Sequence, residues 1–250
     1  MPSDNHTGYT NSAYLVVDTE TTGIDPAEHR NVEVAAVMVK AGQITCAFTT
    51  YLNPNRVIPA QASAVHGLVD EDVKDAPTLE ATLPWLNALA CKVDAIVAHN
   101  APFDRAMLPG LVDKPWLDTL RLSRKLYPEL DGHSNQVMRF HLNLRAPEAN
   151  GMPAHRALAD AYVTARLLTH LLGEVESRHQ SDNTMPGDLF DLLKWSDEPN
   201  LLTTCTFGKH RGTPWAQVPI DYLQWLRRSD GWESSDPDQK FTVMHYLMGR

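Results

Sequence analysis

Two carboxylates, those of Asp18 and Glu20, follow an apolar run near the start of the chain. Residues 13–17 favour a buried strand that ends at Asp18. Because side chains alternate along a strand, Asp18 and Glu20 point to the same side and can share one divalent cation. A surface strand end with two solvated acids gives the same pattern, so the pair indicates a metal site only if other acids join it.

A third carboxylate, that of Asp104, ends the segment His99-Asn-Ala-Pro-Phe-Asp104. This segment follows the short apolar run 95–98 and predicts a strand-to-helix junction, in which Asn100 caps the helix and Phe103 anchors it inward. Asp104 is then expected near the end of the strand. An ordinary helix start explains the same residues, because a capping Asn and a first-turn Asp are common there.

The last motif combines His155 with Asp160. Five helical residues rotate the chain by about 140° beyond a full turn, so the two side chains cannot share a regular helical face. Gly151 and Pro153 favour a loop that holds His155 just before the helix. Asp160 then lies in the first turns among small residues, where an unpaired buried carboxylate is costly and a metal ligand is favoured. An incidental loop histidine is the alternative for His155.

Taken in order, these motifs resemble those of the DnaQ-like DEDDh 3′→5′ exonucleases. The resemblance covers about residues 13–172 and is carried by Asp18-Thr-Glu-Thr-Thr-Gly23, Ala64-Val-His-Gly-Leu68, His99-Asn-Ala-Pro-Phe-Asp104 and His155-Arg-Ala-Leu-Ala-Asp160. Nearer the C-terminus, Phe207-Gly-Lys-His-Arg-Gly212 and Pro219-Ile-Asp-Tyr-Leu-Gln-Trp-Leu226 are similar to the tail of the exodeoxyribonuclease X branch of that family. The chain departs from the family in its extra N-terminal residues and in the acidic Asp25, and neither change touches an expected metal ligand.

The resemblance implies a fold, a reaction and a role for each motif. The fold is α/β, a ribonuclease H-like mixed sheet flanked by helices, and the reaction is hydrolysis of DNA from a 3′ end, single-stranded or in a recessed duplex, to 5′-mononucleotides. Two Mg²⁺ ions about 3.5–4 Å apart are implied, with Mn²⁺ as a substitute. Asp18, Glu20 and Asp160 hold the ion that bears the attacking water, and Asp18 and Asp104 hold the other. His155 is the general base, since the ordinary pKa of a histidine, near 6.5, suits proton uptake at neutral pH.

Further residues near these motifs are candidates for substrate contacts. The resemblance implies substrate binding by Thr19, Thr22, Gly23, Ile24, His66, Asn100 and Phe103. For Ile24, core packing is an equal alternative to contact with an unpaired end, and His66 has a structural loop role as its alternative. Candidate phosphate contacts are Arg121, Arg124 and Lys125, at i, i+3 and i+4 of one helix, and Lys209 and Arg211 on a glycine-bounded turn. A merely solvated turn is the alternative for the last two.

The rest of the chain supplies the elements that must position these residues. Residues 32–39 and 44–52 favour strands, and Ala41-Gly42 between them favours a turn, so three adjacent strands open the domain. A further strand is predicted over 95–98. Helices are predicted within 60–73 and over 79–91, 104–108, 119–127, 135–142 and 157–172. This order, with acids at strand ends, predicts a mixed-sheet α/β layer domain.

We expect four parts along the chain. Residues 1–12 predict a disordered tail, and residues 13–172 form the exonuclease-like domain. The polar segment 173–200 contains Pro186, Gly187 and Pro199 and predicts a linker. Residues 201–250 predict a small accessory unit, with a strand over 203–207, a turn over 208–212 and a helix over 214–228. The tryptophans and tyrosines of this unit are expected to form its own core.

Composition restricts the partners. The net charge of −9 argues, taken alone, against tight binding of long duplex DNA, because backbone affinity comes from Lys and Arg. The polar N-terminus predicts no secretory signal, no segment has the length of a membrane span, and Cys46, Cys91 and Cys205 read as core thiols in a reducing compartment. A soluble cytoplasmic protein is expected. An RNA substrate and a non-catalytic nucleic-acid-binding scaffold are the competing hypotheses.

Overall fold

A five-stranded mixed sheet forms the centre of the computed structural model, which describes residues 8–153 and 155–249. The strands are β1 (Ala13–Thr21), β2 (Asn31–Lys40), β3 (Gln43–Tyr51), β4 (Ala95–Ala98) and β5 (Trp116–Asp118). Their order in the sheet is β3-β2-β1-β4-β5. The first three strands are antiparallel neighbours, whereas β4 is parallel to β1 and β5 is parallel to β4. The predicted mixed-sheet α/β fold is confirmed.

The parallel pairing of β1 with β4 brings two of the acidic motifs together. Tyr14 lies opposite Ala95, and Val16 lies opposite Val97. Because the C-terminal ends of parallel neighbours meet at one edge of a sheet, the residues after β4 emerge beside the end of β1. That end carries Asp18 and Glu20. The strand order alone therefore places Asp18 and Glu20 at the same edge of the sheet as the residues that follow β4.

Helices cover both faces of the sheet. In the described residues the α-helices are α1 (Ala60–His66), α2 (Asp70–Val73), α3 (Leu79–Ala90), α4 (Ala101–Met107), α5 (Thr119–Leu126), α6 (Asn135–His141), α7 (Ala157–Asp182), α8 (Leu189–Asp197), α9 (Ile220–Arg228) and α10 (Pro237–Met248). Along β1, Tyr14 and Val16 are buried in one core with α7, while Leu15 and Val17 are buried in a second core with α3. Each such side chain contributes about 1.5–3 kcal/mol through burial, so β1 is anchored from both sides.

The predicted linker over 173–200 is wrong in its secondary structure. The helix that begins at Ala157 continues to Asp182, and α8 occupies part of the remaining segment. Val175 and Leu192 are fully buried in the same core as the sheet. The composition misled because the polar residues cover the outer sides of two helices whose inner sides pack. The division into domains remains a prediction.

The predicted disordered tail is partly corrected. Residues 1–7 of that tail lie outside the described residues. Residues 8–12 form turns, and Tyr9 is buried in the core, where its carbonyl oxygen accepts a hydrogen bond of 2.6 Å from the Tyr14 hydroxyl. The ring of Tyr9 packs with apolar residues of the core, although its neighbours in sequence are polar.

The C-terminal unit is more helical than predicted. The expected strand over 203–207 is reduced to one bridge between Thr204 and Pro214, and α10 was not predicted. The expected single helix is split into a 3₁₀ helix, Trp215–Gln217, and α9. Pro219 explains the split, because a residue before proline is driven to extended conformation, as found at Val218.

A buried carboxylate joins this unit to the part of the chain that contains the sheet. Asp238 is fully buried and accepts a hydrogen bond of 2.7 Å from Arg124 and one of 2.8 Å from the backbone N–H of Asn200.

Among the cysteines, Cys205 is buried as expected, but Cys46 and Cys91 are exposed, so the core prediction is wrong for those two. Within the described ranges, no helix is both long and apolar enough to cross a membrane.

Candidate active site

Three carboxylates meet at the end of β1. Asp18 and Glu20 lie on the strand, Asp160 lies in the first turn of α7, and one carboxylate oxygen from each lies within 4.8 Å of the other two. Such a separation allows a single cation to sit at about 2.0–2.6 Å from each oxygen. The structure thus brings together three of the four acids that the sequence motifs selected.

The fourth acid, Asp104, belongs to the same neighbourhood. Its carboxylate is buried in α4 and accepts a hydrogen bond of 2.8 Å from the Thr19 hydroxyl. Thr19 lies between Asp18 and Glu20 on β1, so this bond ties α4 to the acidic strand. Asp104 is also the strongest of the neighbouring charges that raise the pKa of Asp18.

The junction before α4 differs from the prediction at Asn100. Asn100 precedes the helix, but its side chain makes no capping hydrogen bond, and its backbone is left-handed with φ of 78°. Its backbone N–H instead donates to Asp118 Oδ1 at 3.0 Å. The predicted capping role of the Asn100 side chain is therefore wrong. The turn before α4 is held instead by the hydrogen bond between the Asn100 backbone and Asp118. The side chain of Asn100 is left exposed, and Phe103 is half-buried.

Burial and mutual repulsion oppose ionisation of these acids. Burial first, then Asp104 and Glu20, raises the pKa of Asp18 well above its usual range. Burial together with the charge of Asp160 raises the pKa of Glu20 to about 8. Burial raises the pKa of Asp104 to about 7, although the hydrogen bond from Thr19 opposes the rise. A set of hard oxygen donors with uncompensated charge is the chemistry that Mg²⁺ or Mn²⁺ requires, so these residues fit divalent cations.

His155 occupies the loop before α7, as predicted. Its backbone is left-handed, with φ of 57°, and its side chain is exposed. Its backbone N–H donates to Asp160 Oδ2 at 3.1 Å. The other oxygen of Asp160 accepts a hydrogen bond of 3.0 Å from Gln136 Nε2. Gln136 was not predicted; an amide in the first turn of a short helix is too ordinary a signal to select it.

A second unpredicted group is the ion pair between Glu33 and Arg156. Glu33 lies directly opposite Glu20 in the register of β1 and β2, and like charges so placed are destabilising. Arg156 compensates this charge with two hydrogen bonds to the Glu33 carboxylate, of 2.9 and 3.0 Å, and donates a third of 2.7 Å to the Tyr51 hydroxyl. The pair fixes the residue between His155 and α7. An acid in the otherwise apolar segment 32–39 is the only sequence signal that could have indicated it.

The loop after β1 is held close to the site. The Thr22 hydroxyl accepts a hydrogen bond of 3.1 Å from the N–H of Arg30 and lies 3.2 Å from His29 Nδ1. A Cβ atom at Gly23 would lie 2.5 Å from the ring of His29, so any larger residue there would require that ring to move. Ile24 follows with 87% of its surface exposed, which excludes the core-packing alternative.

His66 lies at the same end of the sheet, but it is buried. It is the last residue of α1, with 4% of its surface exposed, and its Nδ1 accepts a hydrogen bond of 3.1 Å from the N–H of Leu68. Burial lowers its pKa, against the opposing effects of the Thr21 backbone and of Glu33. Its predicted contact with substrate stays a prediction.

The predicted basic patch on α5 is engaged with acids. Arg124 donates to Asp236 and Asp238, Arg121 lies 3.7 Å from an oxygen of Asp197, and the Lys125 ammonium lies 5.3 Å from the centre of the Trp195 ring. The guanidinium charges are balanced by carboxylates rather than offered to a phosphate, so the structure gives Arg121 and Arg124 a different role from the predicted one. Lys209 and Arg211 are exposed and make no ion pair in the part of the chain that is described.

Comparisons with known proteins agree with this geometry. The family model described as Exonuclease matches residues 15–168. Exodeoxyribonuclease 10 of Escherichia coli is 33% identical to the chain, over 93% of the chain and 97% of that protein. The chain belongs to the exonuclease family. This exonuclease is also 35% identical to a DNA polymerase III subunit epsilon-like protein of Rhodobacter capsulatus, over 66% of the chain and 24% of that protein.

Solved structures show the same fold. Exonuclease X in complex with 5′ overhanging duplex DNA aligns with a TM-score of 0.60 and 30% identity, and the alignment covers 72% of this exonuclease and 99% of that chain. E. coli Exonuclease I with an oligonucleotide aligns with a TM-score of 0.54 at 19% identity, covering 68% and 43% of the two chains, and that likeness shows the fold alone. The predicted DnaQ-like 3′→5′ exonuclease is confirmed, and the chain is an enzyme rather than a scaffold.

Proposed function

We propose that this exonuclease hydrolyses DNA from its 3′ end, one nucleotide at a time, to 5′-mononucleotides, with two divalent cations and His155 as general base. The observation that carries the proposal is the convergence of Asp18, Glu20 and Asp160 within 4.8 Å, with Asp104 beside them. DNA as the substrate is supported by similarity over nearly the full length to a protein named exodeoxyribonuclease. The likeness to Exonuclease X, solved with duplex DNA, supports it further.

The four carboxylates divide between two cation sites. Asp18, Glu20 and Asp160 hold one Mg²⁺, and Asp18 together with Asp104 holds the second; Mn²⁺ can replace both. Bound cations supply Lewis-acid polarisation of the phosphodiester and a more acidic water. Thr19 keeps Asp104 oriented through its hydrogen bond, and Gln136 does the same for Asp160.

Residues around the acids accept the proton of the attacking water and bind the 3′ end of the substrate. His155, on an exposed loop tied to Asp160 by its backbone N–H, accepts the proton of the attacking water. Ile24 packs against the terminal base, since its exposed apolar side chain has no place in a core. Contacts to the terminal nucleotide from Thr22, Gly23, His66, Asn100 and Phe103 complete the site.

Strand-resolved digestion tests the proposal. Oligonucleotides of DNA and of matched RNA, labelled at either the 3′ or the 5′ end, are incubated with Mg²⁺ and with wild type, Asp18→Ala or His155→Ala. We expect wild type to release a labelled mononucleotide first from 3′-labelled DNA and to shorten 5′-labelled DNA in steps, while both variants are nearly inactive. Faster degradation of RNA than of DNA, or release starting at the 5′ end, would contradict the proposed function.

A further inference from the structure

The C-terminal unit carries a group of three neighbouring rings, here called the aromatic platform, in which Trp225 is exposed and His210 and Tyr222 are half-buried. The rings of Tyr222 and Trp225 are stacked, with centroids 5.4 Å apart and planes at 26°. His210 meets Tyr222 edge-on at 4.5 Å. Trp225 is 58% exposed, whereas Trp215 is completely buried. The expectation that the aromatic residues of this unit only form its core is thus met by Trp215 but not by Trp225.

The exposed ring of Trp225 does not belong to the core of the C-terminal unit. On α9, Leu223 and Leu226 are the buried residues and face the core with Trp215. Tyr222, Trp225 and Arg228 follow one another at three-residue spacing, which places them along a neighbouring strip of the helix. One large ring and one guanidinium are therefore presented to solvent side by side.

Unpaired cations outnumber unpaired acids in the C-terminal unit. The acids Asp236 and Asp238 are paired with Arg124, and Glu233 is paired with Lys240. Within residues 201–249, acids outside ion pairs are restricted to Asp221 and Asp230, whereas the cations outside ion pairs are Lys209, Arg211, Arg227 and Arg228. In a chain with a net charge of −9, this is a local excess of positive charge, in which Lys209 and Arg211 flank His210 in sequence and Arg228 lies about one helical turn after Trp225.

An exposed tryptophan stacked on a half-buried tyrosine, with unpaired cations nearby in sequence, matches the chemistry of single-stranded nucleic acid. Unpaired bases have open faces that stack on aromatic side chains, and their phosphates are neutralised by Lys and Arg. In a duplex the base faces are already stacked on each other and are closed to such a surface. We infer that the aromatic platform and its flanking cations bind the single-stranded part of the DNA on which the exonuclease acts; the identification of this strand as substrate rests on the proposed function.

The platform connects with the acidic site through one short segment. Arg211 lines a cleft of about 450 Å³ whose other wall includes His133 and Ser134. These two residues immediately precede α6, and Gln136 in the first turn of α6 donates to Asp160. The cleft thus extends from Arg211, the sequence neighbour of His210, to the segment that precedes Gln136.

Binding in EDTA tests the inference without any need for catalysis. Fluorescence anisotropy of a labelled long oligothymidylate is measured with the full chain as wild type, Trp225→Ala, Trp225→Phe and, as a matched control, Trp85→Ala, which removes an equally exposed tryptophan on α3. We expect about tenfold weaker binding for Trp225→Ala, near-normal binding for Trp225→Phe and no change for Trp85→Ala. In Arg211→Ala/Arg228→Ala, the slope of log affinity against log salt should fall by about 1.4.

Equal affinity of Trp225→Ala and wild type, with both chains folded by circular dichroism, would overturn the inference. Blunt duplex bound as tightly as oligothymidylate would do so as well. In Mg²⁺, Trp225→Ala should slow the degradation of long oligonucleotides but not of a dinucleotide, which reaches only the acidic site. Failure of the proposed function is distinguishable, because it would abolish hydrolysis by wild type and leave the binding result in EDTA intact.

Discussion

Replacing Glu20 by glutamine should inactivate the enzyme in Mg²⁺, yet it should make the metal-free protein more stable at pH 8. In the folded state the pKa of Glu20 is raised to about 8 by burial and by Asp160, Glu33 and Asp104. The unfolded chain releases this proton near the ordinary value of 4.5. Between those values the folded state holds a proton that the unfolded state has lost, so the contribution of Glu20 to stability, fully present below pH 4.5, falls as pH rises towards 8.

The size of this effect follows from the width of the pH window. At about 1.36 kcal/mol per pKa unit, a rise from 4.5 to about 8 sets a ceiling near 5 kcal/mol. Glu20 is only partly buried, so solvent screening reduces the expected loss to about 1–2 kcal/mol. For a chain of this length that corresponds to about 2–8 °C in Tm. Glutamine keeps the shape and removes the charge, so the variant should regain most of this amount.

Thermal unfolding in EDTA at pH 6 and pH 8 measures the effect. Wild type should lose stability between the two pH values, Glu20→Gln should lose less, and Mg²⁺ should raise the Tm of wild type at pH 8 more than that of the variant. Glu71→Gln, which neutralises an exposed acid on α2, serves as control and should follow wild type. A wild-type Tm that is flat or rises from pH 6 to pH 8 would refute the reasoning, as would a variant less stable than wild type at pH 8.

Three further results are expected. Arg156→Met, which leaves the buried carboxylate of Glu33 unpaired, should lower the free energy of unfolding by about 3 kcal/mol in urea, and removing both partners should restore part of it; equal losses in the single and double variants would exclude the ion pair as the cause. Asp238→Ala, which removes the buried acceptor of the Asn200 N–H and leaves Arg124 paired with Asp236 alone, should cost about 3 kcal/mol and speed proteolysis between the two units, and an unchanged digestion pattern would contradict this. His155→Ala should lower kcat by about 10²–10⁴-fold while DNA affinity in EDTA stays the same; a loss of affinity equal to the loss of kcat would assign His155 to binding instead.

The sequence was sufficient for four strands of the sheet and for the acids because their signals are local, whereas β5, only three residues long, was not predicted. The apolar run along β1 and the turn at Ala41-Gly42 depend only on near neighbours. The rotation between His155 and Asp160 placed the histidine in a loop for a purely geometric reason, and the structure has it there. The motif order then identified the family, since Asp18 and Asp104 acquire meaning only together.

Features that depend on distant partners could not be predicted. The continuation of α7 beyond Leu172 depends on the core against which Val175 packs. The sequence of that continuation, taken alone, looks polar. Glu33 is informative only once β2 is known to place it opposite Glu20. Arg124 looked like a phosphate contact until Asp238, far along the chain, was found against it.

The most direct test of the central claim is the metal dependence of hydrolysis at a labelled 3′ end. Protein freed of metal with EDTA is mixed with 3′-labelled DNA, and mononucleotide release is followed before and after addition of Mg²⁺ or Mn²⁺, with Asp18→Asn in parallel. The carboxylate cluster predicts no release in EDTA, full recovery with either cation, and none at any cation concentration for Asp18→Asn. Release that persists under chelation, or a fully active Asp18→Asn, would contradict it.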